Sequence, residues 1–243
     1  MNALIIGGTS SLGKYVSEEL LNRAAKITTV SRSLNGLENS PHFSCDVADE
    51  EKLHNIFLTI KECNPVIDSL WCIAGYAYPR KVEKQTPEVY KKHLDRNITY
   101  VQIALSILEE SLMKSTHPLV VTFGSQWSYR SASECPELIP YAEAKHALRE
   151  YTQNFALRNQ RIRANHYCIP TCDTLSFRRI EDSLRNMNGL EIMKSHAVLA
   201  QPSLVAKKLV EHVLEFKDSG QTMVCQPDGY IQILENMRIK MPQ

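Results

Sequence analysis

The sequence predicts an α/β fold in which a doubly wound sheet of seven parallel strands carries helices on both faces. Short apolar runs recur along the 243 residues, amphipathic stretches with helical periodicity separate them, and a glycine-rich turn follows the first run. Strands that alternate with helices form parallel sheets, because the crossover between two parallel strands needs a long connection. Both faces of such a sheet are buried, so its strands are apolar throughout.

The predicted strands are short and rich in aliphatic residues. Six of them are the apolar runs at residues 3–6, 27–30, 67–73, 119–123, 162–169 and 223–225. A further strand, third in chain order, is expected to end at Asp46. No repeat or linker interrupts the alternation, so the chain is expected to form one domain over residues 1–243.

The predicted helices each present one apolar face. The second helix follows Asp49, whose carboxylate suits an N-cap, and the third begins at Pro87 and runs to about Met113. Two more begin near Tyr141 and at Pro202. The inward-facing residues of the first two helices are Leu12, Val16, Leu20, Leu53, Ile56, Phe57 and Ile60.

The composition argues against several classes of protein. With 28 basic and 27 acidic residues the net charge is +1, so no overall field attracts nucleic acid or an anionic membrane. The seven cysteines are scattered and include no Cys-x-x-Cys pair, which indicates a reducing compartment without a disulfide framework or zinc site. The apolar run at residues 3–6 is too short for a signal peptide or a membrane span. We therefore expect a soluble, cytoplasmic protein.

The glycine-rich turn directly follows the first predicted strand and opens the first helix. At that position the N–H groups of a helix N-terminus bind the pyrophosphate of a dinucleotide. The same turn could instead serve chain geometry alone. The candidate cofactor-binding residues here are Gly7, Thr9, Ser10, Ser11, Leu12 and Gly13.

The residues after the second strand indicate which dinucleotide would bind. The chain reads Ser31-Arg32-Ser33, where a cofactor with a free ribose 2′-hydroxyl usually meets an acidic residue. Arginine and hydroxyl groups suit a 2′-phosphate, which favours NADP(H) over NAD(H); the alternative is a solvated surface arginine. Asp46 could accept a hydrogen bond from the adenine amino group or begin the turn into the next helix.

Tyr141 and Lys145 are four residues apart on a predicted helix and therefore share one face. A fixed ammonium beside a phenol favours the phenolate, so we expect Lys145 to lower the pKa of Tyr141 from about 10 and make it an acid/base near neutral pH. The plain alternative is an exposed aromatic residue beside a solvated lysine.

Taken together, these residues resemble the short-chain dehydrogenase/reductase family over nearly the whole chain, which implies a Rossmann-type fold. The pieces occur in the family's order along the sequence. They are the turn at residues 7–13, Asp46-Val47, Ala74-Gly75, Asn97, Ser125, Tyr141-xxx-Lys145, Pro170 and Asp228-Gly229.

The resemblance implies a hydride-transfer site for a carbonyl or secondary alcohol substrate. Tyr141 would give its proton to the carbonyl oxygen, and Ser125 would hydrogen-bond the same oxygen. Lys145 would hold the nicotinamide ribose, and Asn97 would anchor a water that resupplies the proton through Lys145. Val47, Ala74, Gly75, Pro170 and Thr171 would complete the cofactor site.

The sequence departs from the family pattern at several positions. Ser11 replaces the second glycine of the turn, Cys72-Ile73 replaces a common pair of asparagines, and Thr171 replaces a glycine after the sixth strand. These changes leave every catalytic group in place. A non-catalytic NADP(H)-binding regulatory or scaffold protein with the same fold is the alternative.

Two irregular segments, 126–140 and 174–200, are expected to form the substrate pocket above the carboxyl ends of the strands. Aromatic residues and arginines within them could accept a substrate that carries both an apolar part and an anionic group, although a solvated basic helix face would look the same. The residues concerned are Trp127, Tyr129, Arg130, Phe177, Arg178, Arg179, Arg185 and Met187.

The resemblance also implies a homodimer or homotetramer that pairs the helix ending near Met113 and the helix bearing Tyr141. The apolar residues of the first helix do not fit one narrow stripe, so part of that surface could face a partner, or the helix could be buried within one chain. These residues are Ile103, Leu105, Ile107 and Leu108.

Overall fold

The computed structural model describes residues 1–33, 37, 39–185, 187 and 198–234. They form one eight-stranded sheet in the order β3-β2-β1-β4-β5-β6-β7-β8. The strands are β1 Asn2–Ile6, β2 Lys26–Ser31, β3 His42–Ser44, β4 Ser69–Cys72, β5 Leu119–Ser125, β6 Arg163–Ile169, β7 Thr222–Cys225 and β8 Ile231–Ile233.

Seven strands run parallel, as the sequence predicts, and the eighth does not. The strand β8 pairs antiparallel with β7, and Val224 lies opposite Gln232. The prediction of a seven-stranded sheet is therefore wrong by one strand. Tyr230 accounts for part of the reversal, because Gln226 donates its N–H to the Tyr230 carbonyl at 2.7 Å and closes a tight turn that contains Gly229 at φ 85°.

Seven α-helices are described between the strands. They are α1 Ser11–Leu21, α2 Glu50–Cys63, α3 Pro87–Leu94, α4 Tyr100–Met113, α5 Ile139–Arg158, α6 Leu175–Leu184 and α7 Pro202–Glu215. The predicted N-cap at Asp49 is confirmed, since its carboxylate accepts the Lys52 N–H at 3.1 Å. The predicted single helix from Pro87 to Met113 is interrupted by a π-helical turn at Asp95–Thr99.

The alternation of side chains along β1 shows how the two faces of the sheet are covered. Leu4 and Ile6 belong to a core shared with buried residues of α2, α4 and α5, while Ile5 belongs to a second core shared with α1 and α7. All three side chains are at most 2% exposed. Burial on both faces explains why successive residues of β1 are apolar, which confirms the basis of the prediction for this strand.

The strand order places a topological switch at β1. The chain moves outward from β1 through β2 and β3 on one side and through β4 to β7 on the other. The connections that leave the carboxyl ends of β1 and β4 therefore diverge onto opposite faces and open a crevice, which is where ligands bind in sheets of this kind. Among the described residues, no helix is long and apolar enough to cross a membrane.

Candidate active site

A cavity of about 300 Å³ opens at the carboxyl ends of the strands. Two larger hollows, of about 370 and 430 Å³, lie at the opposite ends of the strands, around residues such as Asn2 and Pro118, and none of the predicted site residues lines them. The carboxyl-end cavity brings together many of the predicted residues. Those that line it are Ser10, Ser11, Leu12, Arg32, Gly75, Ser125, Tyr141, Lys145, Pro170 and Thr171.

The remaining predicted residues do not line this cavity. Gly7 and Gly13 shape the turn after β1, where space is scarce. Gly7 has φ 89°, and a Cβ there would lie 2.6 Å from the Ala74 nitrogen. A Cβ on Gly13 would lie 2.0 Å from the Gly7 carbonyl oxygen. Both positions therefore require glycine, Gly7 for its backbone angle and both for close approach.

The N-terminus of α1 faces the cavity. The helix begins at Ser11, and the first N–H groups of a helix have no partner within it. Ser10 turns its hydroxyl away and donates to the Gly7 carbonyl at 2.7 Å instead of capping the helix. These N–H groups and the helix dipole fit an anion such as a pyrophosphate, and Ser11 adds a hydroxyl at the same place.

The loop after β2 is tied to the glycine turn. Thr9 donates its hydroxyl to the Ser33 carbonyl at 2.5 Å and lies 2.6 Å from the Ser31 hydroxyl. Thr9, Ser31 and Ser33 thus hold the loop, while the exposed Arg32 borders the cavity beside Ser10 and Ser11. A guanidinium at this point fits a phosphate group bound next to the helix terminus.

Asp46 and Val47 serve the turn into α2. The Asp46 carboxylate accepts the Ala48 N–H at 3.0 Å and lies 3.3 Å from Arg96. Burial opposes ionisation of this carboxyl, but the Ala48 N–H and Arg96 outweigh it and lower its pKa. Val47 packs against the core beneath. Of the two roles predicted for Asp46, this geometry accounts for the turn.

Two hydrogen bonds to its backbone hold Ala74 in place. Its N–H donates to the Ile6 carbonyl, and its carbonyl accepts the hydroxyl of Tyr100 at 2.8 Å. Tyr100 is fully buried and was missed by the sequence prediction because its position in α4 looks like an ordinary apolar core position. The hydrogen bond fixes the point where the chain leaves β4 and passes under the cavity.

Ser125, Tyr141 and Lys145 meet inside the cavity. Ser125 ends β5, and its side-chain oxygen accepts the Trp127 N–H at 3.0 Å. Lys145 is 4% exposed, and its ammonium donates to the Phe123 carbonyl at 2.8 Å. The ammonium nitrogen lies 5.8 Å from the centre of the Tyr141 ring. The shared helix face predicted for Tyr141 and Lys145 is therefore present, and it points towards Ser125.

The prediction that Lys145 lowers the pKa of Tyr141 is wrong, because the pKa of Tyr141 is raised. Burial raises the pKa of Tyr141 to about 12, although hydrogen bonding with the Ser125 hydroxyl partly opposes this. Tyr141 keeps some exposure to the cavity, yet protein surrounds it closely enough for desolvation to dominate. Burial also lowers the pKa of Lys145 to about 8. Both shifts favour the uncharged form of the group.

Asn97 lies in the π-helical turn and is fully buried. Its amide nitrogen donates to the Tyr76 and His93 carbonyls, each at 2.8 Å, and its amide oxygen accepts the Tyr76 N–H at 3.2 Å. A methyl group placed on Gly75 would lie 3.3 Å from this oxygen and 3.4 Å from the Lys145 nitrogen. Asn97 and Lys145 therefore flank one small gap beside Gly75.

The substrate side of the cavity combines apolar side chains with the polar residues Gln126, Thr174 and Ser176. Trp127, Leu138, Phe177 and Ile180 line it, together with Ile169 from β6. The prediction is confirmed for two of the aromatic residues, Trp127 and Phe177, whereas the arginines predicted alongside them do not line the cavity. Arg32 and Lys145 are the only cationic side chains that line the cavity within the described part of the chain.

Three of the four arginines predicted for the pocket are paired with acidic residues three to five positions away in the sequence. Arg178 contacts Asp173 at 3.0 Å, Arg185 contacts Asp182 at 3.2 Å, and Arg130 pairs with Glu134. Tyr129, Arg179 and Met187 do not line the cavity either. Residues 186 and 188–197 of the predicted pocket lie outside the described residues.

The apolar surface that suggested a partner is mostly covered by the chain itself. Leu105, Ile107 and Leu108 are at most 8% exposed and belong to the core between the sheet and α2, while Ile103 is partly buried against it. The breadth of the apolar face on α4 thus reflects packing on two sides within one chain.

The sequence was compared with models of protein families and with curated proteins. A family model described as short chain dehydrogenase matches residues 1–184. A search of curated proteins found no significant match.

Solved structures of similar shape cover nearly the whole chain. A short chain dehydrogenase family protein from Francisella tularensis has a TM-score of 0.79 and 24% identity, covering 92% of this chain and 96% of its own. Levodione reductase has a TM-score of 0.81 and 21% identity, covering 93% and 96%. The L-sorbose reductase of Gluconobacter frateurii, solved with NADPH and L-sorbose, has a TM-score of 0.79 and 16% identity, covering 94% and 95%. The match to the family model over residues 1–184 establishes that this chain belongs to the short-chain dehydrogenase family of oxidoreductases.

Proposed function

We propose that this protein reduces a carbonyl compound to an alcohol with NADPH as the hydride donor. The observation that carries the proposal is that Ser125, Tyr141 and Lys145 line the same cavity as the N-terminus of α1 and Arg32. An acid, a hydrogen-bond donor and a dinucleotide cradle within one cavity are what hydride transfer to a carbonyl requires.

The residues around the cavity fit a nicotinamide dinucleotide phosphate. The N–H groups of Ser11 and Leu12 would hold the pyrophosphate, Arg32 the 2′-phosphate, and Lys145 the ribose next to the nicotinamide. When bound, NADPH supplies the hydride and leaves as NADP⁺. Several solved structures of similar fold carry NADPH or NADP, which is in keeping with this assignment.

Tyr141 would donate its hydroxyl proton to the carbonyl oxygen as the carbon accepts the hydride. Ser125 would hydrogen-bond the same oxygen and stabilise the negative charge that develops on it. Since burial raises the pKa of Tyr141 to about 12, the phenol is protonated at neutral pH and ready to act as an acid. Reduction uses this protonated form, whereas alcohol oxidation would need the phenolate as a base. The Lys145 ammonium would then return a proton to Tyr141 across the gap next to Gly75, with Asn97 holding a water there.

The lining of the cavity favours a substrate without an anionic group. Trp127, Phe177 and Ile180 offer apolar surface, and the neighbouring arginines are occupied by Asp173, Asp182 and Glu134. An apolar aldehyde or ketone would gain from contact with these side chains, whereas a carboxylate would be desolvated without a partner.

The decisive experiment compares the wild-type protein with Tyr141→Phe. NADPH and NADH binding is followed by cofactor fluorescence, and turnover is measured on a panel of apolar and carboxylated carbonyl compounds. We expect the variant to bind NADPH like the wild type and to lose about 10²- to 10⁴-fold in turnover. Tyr151→Phe, in the same helix but outside the cavity, is the matched control. Wild-type protein that binds NADPH and turns over nothing would instead support a regulatory or scaffold role.

Cofactor choice is tested separately at Arg32. We expect Arg32→Asp to weaken NADPH binding far more than NADH binding, since a carboxylate repels the 2′-phosphate and accepts from the 2′-hydroxyl. Arg161→Asp, an equal change of charge at the other end of the sheet, should leave both affinities unchanged. Equal losses for NADPH and NADH at Arg32 would contradict the assignment of the 2′-phosphate site.

A further inference from the structure

A chain of buried hydrogen bonds lies behind Ser125 and was not foreseen from the sequence. It joins Ser125 to Ser128, then to His166 of β6, then to Thr122 of β5 and Thr152 of α5. The Ser125 N–H donates to the Ser128 hydroxyl at 3.1 Å, and that hydroxyl lies 3.1 Å from His166 Nε2. His166 Nδ1 lies 2.8 Å from the Thr122 hydroxyl, which lies 2.8 Å from the Thr152 hydroxyl.

The direction of every bond in this chain follows from its far end. Thr152 donates its only hydroxyl proton to the Leu148 carbonyl at 2.7 Å, so Thr122 must donate to Thr152. Thr122 then has no proton left for His166, and Nδ1 must carry the hydrogen. A neutral imidazole with Nδ1–H has an acceptor at Nε2, and Ser128 donates to it. The Ser128 oxygen remains free to accept the Ser125 N–H.

The surroundings keep His166 neutral. The ring is fully buried, and burial is the main reason that the pKa of His166 lies well below its usual value. The nearby charges of Lys145, Arg149 and His146 lower it further. Cys168 is the other neighbour of Ser128. Because sulfur is a weak acceptor, the imidazole nitrogen takes the Ser128 proton.

Gly124 makes room for this arrangement. A Cβ there would lie 2.1 Å from His166 Nε2 and 2.5 Å from the Ser128 oxygen. The residue next to Ser125 must therefore be glycine for the histidine to reach Ser128. Gly124 is thus the residue in the sequence from which a close contact behind the candidate serine could have been inferred.

We infer that His166, as its neutral Nδ1–H tautomer, is a positioning residue that sets the location of Ser125 relative to Tyr141 and Lys145. The chain of hydrogen bonds begins at the strand end that carries Ser125 and ends at Leu148, one turn beyond Lys145 on α5. It therefore links the two elements that supply the candidate catalytic groups. The effect on catalysis rests on the proposed function, whereas the hydrogen-bond chain itself does not.

The tautomer is tested without any assay of activity. In protein labelled with ¹⁵N at histidine, NMR distinguishes protonated from unprotonated ring nitrogens. For His166 we expect a protonated Nδ1 and an unprotonated Nε2 that do not change between about pH 6 and 8. A protonated Nε2, or titration of the ring within this range, would overturn the inference.

The consequence for Ser125 is tested by hydrogen exchange and kinetics on Ser128→Ala and His166→Leu. Both variants should lose at least about 10-fold in protection of the Ser125 amide, since its acceptor is removed or misoriented. They should lose up to about 10²-fold in kcat for carbonyl reduction, with NADPH affinity within about 2-fold of wild type. His166→Gln, whose amide oxygen still accepts from Ser128, should recover part of both properties.

Different results separate the two proposals. Unchanged Ser125 protection in both variants would overturn the positioning role, as would normal kcat in an active enzyme. If the wild type reduces no carbonyl compound, the proposed function fails, while the tautomer and the amide protection still decide whether the chain of hydrogen bonds exists. Should Ser128→Ala fail to fold, the wild-type NMR measurement remains decisive.

Discussion

Replacing Lys145 by methionine should reveal the free energy that the fold loses by burying an ammonium group. Lys145 is 4% exposed, and burial lowers the pKa of its side chain from 10.5 to about 8. That difference corresponds to roughly 3 kcal/mol, at about 1.4 kcal/mol for each pKa unit. Methionine has a similar length and no charge, so the variant avoids this cost.

The pH dependence follows from the sign of the shift. Below about pH 8 the amine is protonated in both the folded and the unfolded protein, and the full cost is present. Between about pH 8 and 10.5 the folded protein has lost the proton while the unfolded chain retains it, so the wild type becomes more stable as pH rises. The stability of Lys145→Met relative to wild type should therefore fall by roughly 3 kcal/mol across this range.

At neutral pH a second effect opposes the gain in stability that Lys145→Met obtains by removing the buried ammonium. The substitution leaves the Phe123 carbonyl without the ammonium that donates to it at 2.8 Å, and an unsatisfied buried acceptor costs about 1–3 kcal/mol. We therefore expect Lys145→Met to be as stable as the wild type or slightly more stable near pH 7, and to lack reductase activity.

Urea unfolding of both proteins at several pH values gives the difference directly, because groups that titrate alike in the two proteins cancel. Lys207→Met, on the exposed face of α7, removes a lysine from a solvated position and is the control. A difference between Lys145→Met and wild type that stays constant from about pH 7 to 10.5 would refute the claim that the folded protein desolvates this ammonium.

Three further substitutions test separate parts of the structure. Gly75→Ala places its methyl between Asn97 and Lys145, so turnover should fall. The free energy of unfolding should change by less than about 1 kcal/mol. Unimpaired steady-state reduction would exclude a proton path through that gap. Gly13→Ala puts a Cβ 2.0 Å from the Gly7 carbonyl oxygen. It should destabilise the protein by about 1–3 kcal/mol, measured by thermal unfolding, and weaken NADPH binding, measured by fluorescence titration. Normal affinity for NADPH would argue against a pyrophosphate at this turn. Asp49→Ala removes the N-cap of α2 and should lower the free energy of unfolding in urea by about 1 kcal/mol, with kcat unchanged. A loss of activity without a loss of stability would contradict a purely structural role for Asp49.

Much of the fold could be predicted because its elements are long enough to carry their own pattern. The strands β5 and β6 have seven residues each, and α2 has a complete cap and apolar face. The strands β3, His42–Ser44, and β8, Ile231–Ile233, have three residues each, which is too short to carry a recognisable pattern. Such short strands form because a neighbouring strand offers hydrogen bonds. A sequence of three residues does not indicate that a strand lies beside it.

The candidate site was predictable to the extent that it depends on order along the chain. Ser125 ends a strand that the sequence identifies, and Tyr141 and Lys145 lie on a helix that it identifies, so their convergence could be expected. The raised pKa of Tyr141 could not be predicted, because helical spacing indicates which residue lies at i+4 but not how deeply the phenol is buried. The contact between His166 and Ser128 was equally hidden, since it joins residues 38 positions apart through the side-chain space left by Gly124.

The three-residue strands β3 and β8 form the two edges of the sheet. Each edge therefore offers a neighbouring molecule only a few backbone groups with which to pair. Growth of the sheet from one molecule into the next is disfavoured at both ends, which protects a sheet of eight strands from edge-to-edge aggregation at high concentration. Any specific assembly of this protein is accordingly expected to form through helix faces or loops.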